Sequence, residues 1–467
     1  MSDTSRYDLG VIGAGSAAYA AAIRARALGA RVALIERGTV GGTCVNVGCI
    51  PSKHLLAASD AYRAAGEHPF RGVETGQMGV DLSALIATKT EVVEEIREEK
   101  YIDLAERVGF EIIRGHASFV APDQLDVDSR RIRARRIVIA TGSTPWAPPI
   151  AGLDEAGYLT STGAMELTAM PESLVVIGGN YIGLELGQVF ANLGSKVTIV
   201  EALDRIAPLE EPEISEGMTQ ILQDQGVRVV ISANVTRIET GSPKTVVAET
   251  SGDVLRLPGE EILVATGRRP VLDGLELENA GVELDDRGAL VVDGTLRTTN
   301  PIIFAAGDVT GAPQFVYVAA AQGTLAAENA IEDAGRQMDY TALPRVTFTA
   351  PNIAAVGLTE EQAAAAGYPC ECRVLELRHV PRARVNLDTR GLVKIVAERS
   401  TGRVLGIHLL AENAGDVILA GVYAVRFGLT VGDLADNWAP YLTMSEAVKL
   451  AAQAFDRDVS MLSCCAA

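Results

Sequence analysis

Hydrophobic positions in the first third of the chain fall in short continuous runs. Residues 7 to 13, YDLGVIG, read as a strand buried on both faces. A glycine corner, GAGSAA, follows, then a small-residue helix, YAAAIRARALGA, and a second buried strand, RVALIE, that closes on an acid. The same order returns at SLVVIGGNYIGLELGQVFANLGSKVTIVE. Two more apolar runs, IVIATGSTPWAPPI and ILVATGRRP, pass from a strand into Ala-Thr-Gly and then proline, where the chain is expected to leave one domain for the next. A further strand, TNPIIFAAGDVT, ends at Gly307 and Asp308, and from about Pro344 the pattern changes to strands such as LVKIVAE and VLGIHLL, followed by helices. The predicted fold class is α/β: two Rossmann-like dinucleotide-binding domains plus a C-terminal α+β domain. Boundaries are expected at 1–148 and 271–343 for the two parts of the first domain, 149–270 for the second, and 344–467 for the third.

The turn chemistry supports two nucleotide sites. Gly13 starts a tight turn, Gly15 lets backbone approach a pyrophosphate, and Ala18 takes the third glycine position. Glu36 lies 23 positions after Gly13, where a carboxylate accepts from a ribose hydroxyl. In the second unit Gly178, Gly183 and Glu201 repeat that spacing, while Asn180 replaces the middle glycine. Asn tolerates left-handed backbone, so the turn is expected to survive there.

Composition narrows the partners. A chain of 467 residues is too long for one core at about 150 residues per domain. A formal charge of −19 disfavours nucleic acid and anionic lipid, leaving small molecules or a second copy. MSDTSRYDLG carries no basic and apolar leader, and no apolar run reaches the ~18 residues of a membrane span, so a cytoplasmic protein is expected. In that compartment spaced cysteines are more often catalytic or metal-binding than structural. GTCVNVGCIPSK places Cys44 and Cys49 five positions apart, and the tail LSCCAA holds Cys464 and Cys465 side by side. Cys370 and Cys372 would point the same way on a strand, as a metal pair would, but they read as an edge-strand pair without an assigned role.

GAGSAA, GGTCVNVGCIPSK, ATG, GGNYIGLELG, ATGRRP and AAGDV together resemble the flavin disulfide oxidoreductase family of glutathione reductase and dihydrolipoamide dehydrogenase, over essentially the whole chain. The resemblance implies FAD and NADH or NADPH as cofactors and a homodimer whose active site is shared between subunits, with the last domain as the dimerisation domain. It makes Cys44 the thiol that exchanges with substrate and Cys49 the thiol that contacts flavin. It pairs Lys53 with Glu185 by the flavin ring. FAD contacts fall to Gly13, Gly15, Ser16, Ala17, Glu36, Arg37, Gly42, Thr43, Lys53, His116, Ala117, Thr141, Gly142, Arg268 and Asp308. Nicotinamide contacts fall to Gly178, Gly179, Asn180, Tyr181, Ile182, Glu201 and Gly267.

The substrate is signalled by a departure. Members that reduce an organic disulfide carry a histidine in a His-Pro-Thr-x-Ser-Glu stretch, whereas this chain has YLTMSE, with Tyr441 at that position. Tyrosine, with a pKa near 10, is a poor proton shuttle at neutral pH. Adjacent cysteines form a disulfide only through a strained ring, so Cys464 and Cys465 suit two thiols that hold a soft metal ion. In this tail, in GTCVNVGC and in PYLTMSE the chain resembles the mercuric reductases of the family. That resemblance implies electron flow from nicotinamide through FAD to Cys44 and Cys49. Cys464 and Cys465 of the partner subunit would pass Hg(II) to these two thiols, with Tyr441 and Tyr181 near the site. Some such reductases add an N-terminal metal-binding domain; this sequence begins at the flavin unit, so delivery is expected from the tail or from free thiols. Glu201 repels a 2′-phosphate unless Arg205 compensates, so NADH is expected to serve at least as well as NADPH. The alternatives are a dihydrolipoamide dehydrogenase-like disulfide reductase, which fits Glu201 but not Tyr441, and a soft-metal sequestering protein, which would need no hydride donor.

Overall fold

The computed structural model describes residues 5–76 and 79–459; Cys464 and Cys465 lie outside the described residues. The chain forms two compact units. The first comprises Met1–His54, Ser83–Trp146 and Gly267–Met338, and the second Leu55–Leu82, Ala147–Thr266 and Asp339–Ala467.

In the first unit the continuous apolar runs become the centre of a seven-stranded sheet. Glu111–Arg114, Val32–Glu36, Ser5–Ile12, Arg130–Ile139 and Ile303–Ala305 pair in parallel, and Gln124–Val127 and Ala117–Ala121 add antiparallel strands. Leu9, Leu34 and Val138 pack on one face with the alanines of helix Ser16–Ala27. Small side chains there let Gly323 of helix Val316–Glu332 lie against the backbone of Ala17. Ile12, Ile35 and Ile139 face the opposite core with Phe119 and Leu125.

The second unit contains a four-stranded parallel sheet in the order Arg228–Val230, Lys196–Val200, Ser173–Ile177 and Glu261–Val264, with a three-stranded antiparallel layer, Asn234–Glu239, Lys244–Glu249 and Val254–Gly259. Its last part is a five-stranded antiparallel sheet in the order Pro344–Thr347, Asn352–Gly357, Val404–Ala411, Leu392–Glu398 and Cys370–Glu376. Strand Val404–Ala411 is buried at every position, because helix Ala414–Phe427 packs on one side and Pro212–Asp224 approaches the other.

That double burial encloses charge. Lys394, 2% exposed, reaches Glu211, Glu213 and Glu360 at 3.1, 2.9 and 2.9 Å. His408, fully buried, has its Nε2 3.0 Å from the Leu358 carbonyl, so Nε2–H donates there in the neutral ring. Burial holds its pKa down at about 4, against the pull of the Leu358 carbonyl and Glu210. The unfolded chain binds this proton below about pH 6.5 and the folded chain does not, so stability falls as pH drops from 6.5 towards 4. Between pH 7 and pH 5 this site should cost about 2 kcal/mol at 1.36 kcal/mol per pH unit. Urea melts of the His408→Gln chain should show a correspondingly flatter acid limb than the parent.

Candidate active site

The thiol motif sits directly on the first glycine turn. Gly13 adopts φ +111° beside the Ala140 carbonyl, and a Cβ on Gly42 would come within 2.5 Å of the Gly15 Cα. Only glycines permit that approach. Cys44 lies in the short helix Gly42–Val47, and Cys49 opens a new helix, Cys49–Gly66. Gly48 separates them with φ −137° and ψ −109°, and a Cβ there would meet the Thr43 carbonyl oxygen at 2.8 Å. A break between two helices thus brings residues five apart into contact. Asn46 fixes the loop by donating to the Val40 and Gly42 carbonyls at 3.0 and 2.9 Å, and it accepts from Arg97 at 3.1 Å.

The two thiols are hydrogen-bonded, and this bond, with burial and the charge of Cys49, drives the Cys44 pKa far up, while Lys53 opposes the rise. The bond and the shared burial tie the two thiols into one proton-sharing pair. Burial weakens the Arg268 cation, which Asp308 and Cys49 in turn favour. Asp308 is the first residue of a 3-10 turn, Asp308–Thr310, whose N-cap is Gly307. Its carboxylate accepts from the Ser143 hydroxyl at 2.6 Å, and Arg268 donates to the Ser143 Oγ and carbonyl at 2.8 and 2.7 Å. Ser143, absent from the sequence-derived set, thus joins two members of it.

A second residue that the sequence did not disclose is Tyr101. It lies in the π-helical turn Glu98–Ile102 that interrupts Leu82–Arg97 and Asp103–Val108. Such turns often mark functional sites. Its pKa is raised by burial and by the charges of Cys44 and Cys49, and lowered by its hydrogen bond with Ser16.

The remaining first-unit residues surround the end of the sheet. Glu36 ends Val32–Glu36 and accepts the Gly38 N–H at 2.6 Å; exposed Arg37 lies in the same turn. Gly115 donates to the Glu36 carbonyl at 3.0 Å, and His116 packs its ring on Gly274 before Ala117 enters the sheet. Thr141 Oγ1 is buried without a hydrogen-bond partner among the described residues, and Gly142 follows it at φ +70°. Helix Ser16–Ala27 begins at Gly15 with no side-chain cap and no acid in its first turn, and Ala17 is buried within it. A bare helix start beside a close glycine turn and an orphaned hydroxyl is a cradle that fits a dinucleotide diphosphate. Gly267 has φ +145° and accepts from the Trp146 N–H at 3.0 Å.

In the second unit Gly178 has φ +109° beside the Ala265 carbonyl, and Gly183 lies against the Gly178 carbonyl. Asn180 is the N-cap of Tyr181–Asn192 at φ −106° and ψ −169°, so it is extended, not left-handed as its residue type suggested. Gly178 already carries the positive φ, which leaves Asn180 free of it, and its Oδ1 is buried without a partner among the described residues. Glu201 is 8% exposed and accepts the Gly179 and Leu203 N–H groups at 2.7 and 2.9 Å. Arg205 donates to the Pro208 carbonyl at 3.2 Å, directed at its own turn. Tyr181 and Ile182 open the helix, and the Tyr181 hydroxyl lies 3.4 Å from Glu210, which Arg345 also grips at 3.1 Å. Glu185, 6% exposed, accepts the Phe348 N–H at 2.9 Å. Tyr441 is 48% exposed on the turn before helix Glu446–Gln453. Glu446, the acid of YLTMSE, is buried with Oε2 unpartnered among the described residues, and burial raises its carboxyl pKa. Among the described residues no group of three His, Cys, Asp or Glu gathers to hold a metal ion.

Known proteins share this arrangement. The pyridine nucleotide-disulphide oxidoreductase family matches residues 7–323, and the dimerisation domain of that family matches 343–452. The chain is 51% identical to mercuric reductase of Streptomyces lividans over 467 residues, covering 98% of each protein. It is also 51% identical to mercuric reductase of Bacillus cereus over 461 residues, 98% of this chain and 73% of that relative. Among solved structures, the HOCl-induced flavoprotein disulfide reductase RclA from Escherichia coli superposes with a TM-score of 0.85 at 34% identity, over 96% of this chain and 99% of that one. LpdA from Mycobacterium tuberculosis gives 0.85 at 28% identity, over 97% and 100%. A likeness that runs through both glycine turns, the Cys44–Cys49 motif and the last sheet leaves one assignment: the chain belongs to the pyridine nucleotide-disulphide oxidoreductase family.

Proposed function

We propose that this protein reduces Hg(II), presented as a complex with small thiols, to Hg(0) with electrons from NAD(P)H. The observation that carries the reading is the combination of the Cys44–Cys49 pair with tyrosine at position 441, in a chain 51% identical to mercuric reductases over nearly its full length. Gly13, Gly15, Ser16, Glu36, Thr141, Arg268 and Asp308 would hold FAD, and Gly178, Asn180 and Glu201 the nicotinamide dinucleotide. FAD, when bound, supplies the two-electron link between nicotinamide and the thiol pair.

The chain's own residues handle the ion. Cys44, the exchange thiol, attacks Hg(II) and gives its proton to the first small thiolate it displaces. Cys49 displaces the second, so two sulfur–mercury bonds replace two. Lys53 favours the thiolate by its charge. Tyr101, held by Ser16, fills the margin of the same field. Cys464 and Cys465 of the partner subunit would deliver the ion, with Tyr441 beside it. Glu185, Tyr181 and Lys53 would serve the flavin and nicotinamide sides.

A homodimer is supported by the dimerisation domain and by helix Ala414–Phe427, which exposes Leu419, Tyr423 and Phe427 along one stripe. No helix among the described residues is long and apolar enough to cross a membrane, and cytoplasmic residence is part of the proposal. Mixing Cys44→Ala chains with Cys464→Ala/Cys465→Ala chains should recover part of the activity in heterodimers if the site is shared.

The function is tested by comparing kcat/KM for a bis-cysteine Hg(II) complex, lipoamide and glutathione disulfide. Hg(II) should dominate; rapid lipoamide reduction with Hg(II) left intact would favour the dihydrolipoamide dehydrogenase-like reading. Glu201, with Arg205 tied to its own turn, predicts that NADH serves at least as well as NADPH. A tenfold preference for NADPH in kcat/KM would contradict that assignment.

A further inference from the structure

Strand Cys370–Glu376 forms one edge of the five-stranded sheet and pairs only with Leu392–Glu398 among the described strands. Cys370 and Cys372 stand opposite Glu398 and Val396, and both pack against the cluster of Ala363, Val396 and Leu405. They therefore share one face, half-buried, under helix Glu360–Ala365. Arg373 and Leu375 turn to the other face, where Arg373 lies over Phe455. The Cys372 thiol donates to the Glu360 carboxylate, which Lys394 anchors at 2.9 Å.

Residues two apart on a strand advance about 6.6 Å at ~3.3 Å per residue. A disulfide needs Cβ atoms about 3.8 Å apart, so this pair is too widely spaced to close on itself. An ion with metal–sulfur bonds near 2.3 Å, bound linearly, needs sulfurs roughly 4.6 Å apart, which two thiols leaning towards each other from such Cβ positions reach. We propose that Cys370 and Cys372 form a second, two-coordinate site for Hg(II), separate from the reducing pair. The pair loads by exchange: the two sulfur–mercury bonds of an incoming bis-thiol complex break, two form to Cys370 and Cys372, and the two cysteine protons pass to the departing thiolates. Glu360 orients the Cys372 proton for that transfer and is itself held by Lys394, so no third ligand is needed. No electrons move, and the ion stays Hg(II). The site requires none of the redox residues, so its failure and that of the proposed reduction are distinguishable.

The chain has six cysteines, so the FAD-loaded Cys44→Ser/Cys49→Ser/Cys464→Ser/Cys465→Ser protein retains this pair alone. Titrated anaerobically with bis-cysteine Hg(II) and desalted through excess cysteine, it should retain one Hg(II) per chain with an ultraviolet sulfur-to-mercury absorption band. Adding Cys372→Val, or separately Cys370→Ala, should reduce retention at least tenfold with FAD content and melting temperature unchanged. No retained mercury in the quadruple variant, or retention that survives both further substitutions, would overturn the proposal. Should either added substitution unfold the protein, alkylation of the folded quadruple variant decides. Two thiols protected by stoichiometric Hg(II) support the site, and two thiols that react at the same rate with and without it overturn it.

Discussion

A Cys49→Ser chain should lose Hg(II)-dependent NAD(P)H oxidation by a factor on the order of 10³ or more, the scale seen when one member of a catalytic unit is removed. The two thiols act as one hydrogen-bonded pair, in which the family resemblance makes Cys44 the member that exchanges with substrate and Cys49 the member that contacts flavin. Serine matches the size of cysteine but gives neither a thiolate near neutral pH nor a soft ligand. Cys44→Ser should be equally silent in turnover, because one remaining sulfur cannot complete two-coordinate mercury. The two variants separate spectroscopically. With the flavin still oxidised, a long-wavelength thiolate–flavin absorbance should be present in Cys44→Ser and absent from Cys49→Ser. If the band survives loss of Cys49, the assignment of the flavin-contacting thiol is wrong.

Lys394→Met should destabilise the fold by about 3–5 kcal/mol, the cost of removing one partner from a buried ion pair. Glu211 is 2% exposed and, among the described residues, would be left facing the Glu360 N–H, at 2.7 Å, and the nearby neutral His408. Replacing Glu211 as well, in Lys394→Met/Glu211→Gln, should recover much of that loss, since the stranded charge is then gone. Denaturant midpoints measure both. A Lys394→Met chain as stable as the parent would show that the carboxylates reorganise around the gap.

The pattern of the sequence was informative where the chemistry is local. The strand, glycine corner and helix of each βαβ unit are dictated by a few neighbouring residues, so Gly13 and Gly178 were identifiable from the sequence, and both adopt the positive φ that their turns require. The turn at Asn180 survives as expected, but through Gly178 and not through Asn180, because residue preference alone does not say which member of a turn carries the positive φ. Ser143 was invisible because its partners, Asp308 and Arg268, come from distant segments. Tyr101 was invisible because a π turn inserts its extra residue without disturbing an amphipathic helix pattern. The burial of Lys394 in LVKIVAE was not legible, because its partners Glu211 and Glu213 come from the distant start of helix Pro212–Asp224. The thiol motif was legible as a redox pair, but the break at Gly48 that joins its members required coordinates.

The most direct test of the account is to measure, in a sealed anaerobic cell, mercury vapour released per NAD(P)H oxidised by the FAD-loaded protein given bis-cysteine Hg(II). The account predicts one Hg(0) per NAD(P)H, with no release from the Cys44→Ser chain; NAD(P)H consumption without vapour, or vapour undiminished by that substitution, would contradict it.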